Sequence, residues 1–182
     1  RHGTAVANGS AALDVAVAML KLTCGDEVIL PAHTIISCAS SLVRAGVTPV
    51  LIDSDIETWN IDTSKIESAI TKNTKAIIPV HLYGHPANMD FINKIAKKHN
   101  LKVIEDAAES QGAHYKGRKV GSLADASTFS FFGNKIITTG GGGCILSNDQ
   151  AFINKARHIG TTAKVKHKWE FLHDQVGYNY RM

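Results

Sequence analysis

The chain alternates short apolar runs with segments of helical periodicity along most of its length. The apolar runs are mostly continuous rather than alternating, which is typical of strands buried on both faces of a sheet. The predicted strands are Glu27–Leu30, Pro49–Ile52, Ala76–Val80, Lys102–Glu105, Ala126–Phe132 and Gly143–Leu146. The predicted helices are Ser10–Lys21, Thr34–Arg44, Thr63–Ile70, Met89–Lys98 and Asp149–His158. Strands that alternate with helices form βαβ units, so we predict an α/β fold with a mostly parallel sheet of about seven strands between helical layers.

Composition excludes several classes of protein. The 182 residues are 44% hydrophobic and 20% charged, which is typical of a globular domain and not of a disordered chain. The net charge of +4 is mild and evenly spread, so we expect no nucleic-acid partner. No apolar run is long enough for a transmembrane helix or a signal peptide, so we expect no membrane partner. Cys24, Cys38 and Cys144 form no CxxC pair, which indicates free thiols and a cytoplasmic location.

Three polar residues follow predicted strands or begin a predicted helix. Asp106 comes directly after the strand Lys102–Glu105, Lys135 follows Ala126–Phe132, and Ser10 begins the first helix. Ligands of open α/β sheets bind outside the carboxyl ends of the parallel strands. We therefore expect these three side chains to converge on one edge of the sheet.

Ser10 lies in the phrase NGSAA at the start of an Ala-rich helix. A helix start offers unpaired N–H groups, a hydroxyl and the positive end of the helix dipole, which suit a phosphate. The alternative is that Ser10 only caps the helix, which requires no ligand.

Lys135 lies in SFFGNKIITTGGGG, between an aromatic strand and a glycine run. A partly desolvated lysine can lose its proton and form a Schiff base. The alternative is a lysine whose stem packs at a strand end while its amine reaches water. Gly140–Gly143 lacks the order of a P-loop, and a tight hairpin that requires positive φ explains it better.

Asp106 lies in VIEDAAES, at the end of a buried strand. A buried acid is costly unless it is paired, and its partner could be a cationic ligand atom or a backbone amide. His81 and His85 are four residues apart in HLYGH, but two histidines without a third ligand are weak evidence for zinc. We expect no metal.

A lysine, an acid and a phosphate site at one sheet edge match the needs of pyridoxal 5′-phosphate. This cofactor uses a lysine for covalent attachment, a carboxylate to keep its pyridine nitrogen protonated, and an anion site for its phosphate. We therefore predict pyridoxal 5′-phosphate as the cofactor.

Longer phrases of the chain are also characteristic. They are NGSAALDVA, GDEVILPAHTIISCASSLVRAGVTPVLID, TWNID, TKAIIPVHLYGHPANMD, VIEDAAES, FSFFGNKIITTGGGG and GYNYRM. In this order they resemble the DegT/DnrJ/EryC1/StrS family of sugar aminotransferases, closest to its GDP-perosamine synthase-like branch. The resemblance implies the large domain of a fold-type-I enzyme over residues 1–182. Family members are roughly twice as long and carry a C-terminal small domain that this chain lacks, so we expect a fragment.

The resemblance implies a cofactor site formed by Ser10, Ala11, Ile35, Asp106, Glu109, Ser130, Lys135 and Asn179. Lys135 and Asp106 match the catalytic pair, namely the attachment lysine and the partner of the pyridine nitrogen. Ser10, Ala11 and Ser130 match phosphate contacts, and Asn179 matches an asparagine that reaches the phosphate of the neighbouring subunit.

The remaining matched positions depart from the commonest pattern of the family. Glu109 stands where many relatives carry Gln beside the ring hydroxyl, although Glu also occurs in the perosamine-like branch. Ile35 replaces an aromatic ring over the cofactor, which weakens stacking but still covers the ring face. Gly141 stands where GEGG-type relatives carry an acid, so a polar contact near the lysine is missing.

The resemblance implies transamination of a nucleotide-linked 4-keto-deoxysugar, with glutamate as donor, for surface polysaccharide biosynthesis. It also implies a homodimer with shared active sites. The alternatives are a catalytically inactive or regulatory cofactor-binding relative, or a truncated product without function. A Rossmann-type binder would need its glycine loop after the first strand, and a dehydratase relative would carry His in place of Lys135.

Overall fold

The computed structural model describes residues 2–182, which form a seven-stranded sheet, a small hairpin and five α-helices. The strands are β1 His2–Val6, β2 Glu27–Pro31, β3 Thr48–Ile52, β4 Thr74–Ile77, β5 Lys102–Asp106, β6 His114–Tyr115, β7 Arg118–Lys119, β8 Ala126–Ser130 and β9 Gly143–Ser147. The helices are α1 Gly9–Met19, α2 Ser37–Arg44, α3 Thr63–Ile66, α4 Met89–His99 and α5 Gln150–Gly160. Short 3₁₀ turns span Glu67–Ala69 and Leu82–Gly84.

The central sheet has the strand order β1-β9-β8-β5-β4-β2-β3. Only β9 runs antiparallel to its neighbours, and the pairs β8/β5, β5/β4, β4/β2 and β2/β3 are parallel. The predicted mostly parallel, seven-stranded α/β sheet is therefore confirmed. All strands of this sheet except β9 place their carboxyl ends at the same edge, and this edge carries the candidate site.

Apolar side chains cover both faces of the sheet. In β2, Ile29 packs in the cluster that contains Met89 and Ile92 of α4, whereas Val28 and Leu30 pack with α1 and α2. Helix α5 joins α1 in a third cluster over β1 and β9. The continuous apolar runs in the sequence reflect this coverage, since each strand needs apolar residues on both sides.

Five elements are shorter than predicted, and two of them differ only at their ends, since β8 stops at Ser130 rather than Phe132 and α1 stops at Met19 rather than Lys21. Strand β4 ends at Ile77, before Pro79, which has no N–H for the ladder. Helix α2 begins at Ser37 rather than Thr34, and the residues just before it, His33 to Ile35, line a cavity instead. Helix α3 ends at Ile66 and continues as a 3₁₀ turn. The hairpin β6–β7 was not predicted, and each of its strands has only two residues.

Within residues 2–182, no helix combines the length and the hydropathy that crossing a bilayer requires. Cys24, Cys38 and Cys144 are all free thiols.

Candidate functional site

A cavity of about 470 Å³ lies at the carboxyl edge of the sheet. It is lined by Asn8, Gly9, Ser10, Leu13, Ile35, Ser37, Asp106, Ala108, Thr128, Phe129, Ser130, Phe132, Asn134 and Lys135. Five of the residues predicted from the sequence therefore meet in one cavity, although they are far apart along the chain.

The start of α1 forms one wall of this cavity. Asn8 caps the helix, since its Oδ1 accepts the N–H of Ala11 at 2.8 Å. The Ala11 N–H is thus already engaged, whereas the Ser10 hydroxyl lies 2.8 Å from the hydroxyl of Ser37. The first N–H groups of a helix have no intrahelical acceptors, so this wall favours an anion.

Gly9 allows α1 to approach the end of β8 closely. A Cβ at this position would lie 2.7 Å from the Cβ of Ser130, which is closer than real side chains come. Ser130 is buried and lines the same cavity. The close approach therefore places Ser130 beside the start of α1, and Ser10 and Ser37 line the same cavity.

Asp106 is only 2% exposed, at the end of β5. Its Oδ1 accepts the N–H of Ala108 at 3.1 Å, and its Oδ2 accepts the S–H of Cys38 at 3.1 Å. Desolvation raises the pKa of Asp106, while these two hydrogen bonds and the positive charge of Lys135 lower it. A buried carboxylate in this position favours a cationic ligand atom as its partner.

Lys135 lies in the connection between β8 and β9, with 17% of its side chain exposed. Its Nζ is 3.2 Å from Oε1 of Glu109, whose Oε2 accepts the N–H of Tyr83 at 3.0 Å. A second cavity of about 270 Å³ also contacts Lys135, Asp106 and Glu109. Lys135 and Asp106 thus line both cavities, and Ile35 does so as well.

Asn179 is exposed and lines neither cavity. Its segment is fixed to the body of the chain, because Tyr180 accepts the N–H of Ala7 through its carbonyl and donates its hydroxyl to Asp14 Oδ2 at 2.9 Å. The contact of Asn179 with the phosphate in a neighbouring subunit stays a prediction.

Sequence reasoning did not single out Ser37, Thr128 or Asn134, which line the cavity, or Cys38, which bonds Asp106. None of them lies in a phrase whose spacing alone indicates a ligand. His81 bonds Glu105 through Nε2 and accepts the N–H of Ala87 at Nδ1, so both ring nitrogens are engaged within the core. Among residues 2–182 no three His, Cys, Asp or Glu residues are grouped as metal ligands.

The groups that line the cavity fit pyridoxal 5′-phosphate. A lysine amine, a buried carboxylate and a hydroxyl-rich helix start surround one cavity, and these are the three groups that the cofactor requires. The fold is that of the cofactor-binding domain of pyridoxal phosphate proteins of fold type I.

The chain belongs to the DegT/DnrJ/EryC1/StrS aminotransferase family, whose model matches residues 1–182. It is 50% identical over 183 residues to the GDP-perosamine synthase of Caulobacter vibrioides and 48% identical over 182 residues to that of Escherichia coli O157:H7. It is 45% identical over 183 residues to the pleiotropic regulatory protein of Geobacillus stearothermophilus. Each match covers 100% of this chain and 48–50% of the relative, so the chain spans about half the length of these proteins.

Solved structures show the same fold. The aminotransferase from Psychrobacter cryohalolentis matches with a TM-score of 0.93 and 42% identity, over 100% of this chain and 49% of the other. The PLP form of a Streptococcus pneumoniae protein assigned as a sugar aminotransferase matches with a TM-score of 0.93 and 29% identity. This match covers 99% of this chain and 51% of the other. Pyridoxal 5′-phosphate is the cofactor of this fold and family.

Proposed function

We propose that residues 1–182 form the cofactor-binding large domain of an aminotransferase that converts a nucleotide-linked 4-keto-deoxysugar to the amino sugar. The convergence of Lys135, Asp106 and the start of α1 on one cavity carries the proposal. The names of the two GDP-perosamine synthases support a GDP-linked substrate. We further propose glutamate as the donor and surface polysaccharide biosynthesis as the role.

Lys135 holds the cofactor covalently and then transfers protons. When bound, the cofactor ring supplies an electron sink for the bond electrons left at the Cα of the amino donor. With the cofactor bound, the Lys135 amine would take the proton from the Cα of the amino donor and would return it at C4′ of the cofactor. The position of Lys135 in the lining of both cavities supports this role.

Asp106 keeps the pyridine nitrogen protonated, so that the ring can accept electrons. The hydroxyls of Ser10 and Ser130, together with the start of α1, would hold the phosphate, and Ile35 and Ala108 line the same cavity and would contact the ring. Glu109 lies beside Lys135 and orients the amine.

We also propose that the protein is a homodimer whose active sites are shared. Ile35, Ile36, Phe132, Ile136 and Ile137 are all more than half exposed around the mouth of the site and the lysine connection. Large apolar side chains left exposed around a site favour a protein interface. A second subunit that covers the patch would bring its own Asn179 segment to the phosphate.

A catalytically inactive, regulatory relative is the second candidate, because one relative is named a pleiotropic regulatory protein. Such a protein would need the phosphate site but neither Lys135 nor Asp106. Both residues line the cavity, which favours chemistry.

The test is amino transfer from ¹⁵N-glutamate to a GDP-linked 4-keto-deoxysugar, followed by mass spectrometry of the sugar product with the full-length protein. We expect ¹⁵N in the sugar and an equal amount of 2-oxoglutarate, and no transfer by the Lys135→Ala variant. Tight cofactor binding without turnover on any nucleotide-linked keto sugar would favour the regulatory candidate.

A further inference from the structure

Asp106 receives a hydrogen bond that the chemistry proposed above does not use. Cys38 lies on the first turn of α2 and is fully buried. Its Sγ is 3.1 Å from Oδ2 of Asp106, and the Oγ1 of Thr34 lies 3.9 Å from the same sulfur. The thiol therefore joins α2 to the end of β5 directly behind the carboxylate that faces the cavity.

The thiol is the donor in this contact. Desolvation, and then the negative charge of Asp106, raise the pKa of Cys38, so the sulfur keeps its proton at neutral pH. Burial also raises the pKa of Asp106, and the bond from Cys38 lowers it. The S–H thus favours the charged form of a carboxylate that burial alone would neutralise.

We propose that Cys38 is a positioning residue, which holds the Asp106 carboxylate ionised and in one orientation for the pyridine nitrogen of the cofactor. Ala108 N–H fixes Oδ1 and the Cys38 thiol fixes Oδ2, so the carboxylate cannot rotate without losing a hydrogen bond. This inference rests on the proposed function, because the partner of Asp106 is the cofactor ring.

A packing role is the competing explanation. Cys38 also lies in the apolar cluster with Leu42 and Leu13, where a small apolar side chain would suffice. The positioning role and the packing role predict different effects for the substitution Cys38→Ser. Serine restores a donor to Asp106, whereas alanine removes the donor at a similar volume.

The first measurement requires no cofactor. The S–H stretching band of Cys38 is obtained by infrared difference spectroscopy between the wild type and the Cys38→Ala variant, with Cys144→Ala as the matched control for a half-buried thiol. A thiol bonded to a carboxylate absorbs at lower frequency than a free one. We expect the Cys38 band to move to higher frequency in Asp106→Asn, while the Cys144 band stays in place. An unmoved Cys38 band would overturn the proposal.

The second measurement is kinetic and uses the loaded, full-length enzyme. Because S–H is a weak donor to a charged group, we expect Cys38→Ala to lower kcat about five- to tenfold with little change in KM. Cys38→Ser should stay within about twofold of the wild type, since the hydroxyl replaces the donor. Equal losses in both variants, or no loss in Cys38→Ala, would contradict the positioning role. A wild type that binds no cofactor would refute the proposed function and leave the infrared result to test the thiol contact.

Discussion

Lys135 Nζ lies 3.2 Å from Oε1 of Glu109, and the other oxygen of the same carboxylate accepts the backbone N–H of Tyr83. Tyr83 adopts a positive φ of 50°, which is uncommon for a residue with a side chain. Glu109 therefore links the amine proposed to hold the cofactor to a strained turn on the wall of the second cavity.

This link predicts different results for two substitutions of Glu109. Glu109→Gln keeps an oxygen acceptor for Lys135, so covalent loading of the cofactor should proceed within about threefold of the wild-type rate. Glu109→Ala frees both Lys135 and the Tyr83 turn, and should slow loading about tenfold, as expected for loss of a hydrogen bond to a charged group. Stopped-flow absorbance after mixing with pyridoxal phosphate measures both rates. Equal rates in the two variants would show that the acceptor has no part in orienting the amine.

Because Asp106 is buried, we expect it to lower the folding stability of the cofactor-free protein by an amount that depends on pH. Because burial raises the pKa of Asp106 above its ordinary value, ionising this carboxyl costs more in the folded state than in the unfolded state, and stability is lost as pH rises through the folded pKa. Asp106→Asn should thus raise the Tm at pH 7 by a few degrees, since about 1 kcal/mol corresponds to roughly 2–4 °C in a domain of this size. The difference in Tm between Asp106→Asn and the wild type should become smaller towards pH 4.

Asp53→Asn provides the control for this prediction. The backbone N–H of Ser54 and the charge of Lys65 lower the pKa of Asp53, so its contribution is present above the unfolded pKa and the substitution should not stabilise the protein at pH 7. Thermal unfolding of both variants between pH 4 and pH 8 shows whether each substitution raises or lowers the Tm. If the Tm difference between Asp106→Asn and the wild type is the same at every pH, titration of this carboxyl is not the cause of the stabilisation.

The proposed shared site predicts that Asn179→Ala weakens cofactor binding in the dimer. A lost hydrogen bond to a phosphate costs about 1.5–3 kcal/mol, which corresponds to roughly a 10- to 150-fold rise in Kd. Asn154→Ala, on the exposed side of α5, should leave Kd unchanged. Sedimentation and fluorescence titration with cofactor measure assembly and affinity together. A monomer that binds the cofactor tightly and is indifferent to Asn179 would refute the shared site.

The main elements of the site could be predicted because they depend on local sequence and on a rule of topology. Asp106 directly follows an apolar run, and Lys135 follows another, so the parallel sheet brings both to one edge. The start of α1 is visible in the sequence as an Asn-Gly-Ser phrase before an Ala-rich helix.

The hydrogen bonds around these residues could not be predicted in the same way. Cys38 contacts Asp106 although the two residues are 68 positions apart in the sequence. Ser37 contacts Ser10, which is 27 positions away. Ser37 and Cys38 form the first turn of α2, whereas the periodicity predicted that the helix begins at Thr34. Tertiary packing decides such contacts, and no pattern within one segment encodes them.

The central claim is that Lys135 is the residue to which the cofactor is attached, and borohydride trapping tests it most directly. The full-length protein is loaded with pyridoxal phosphate, reduced with borohydride, digested and analysed by mass spectrometry. Lys102→Ala, which removes an exposed lysine, is the control and should keep the label, whereas Lys135→Ala should lose it. We predict a single phosphopyridoxyl group on Lys135. A label on another lysine, or none on the wild type, would contradict the account.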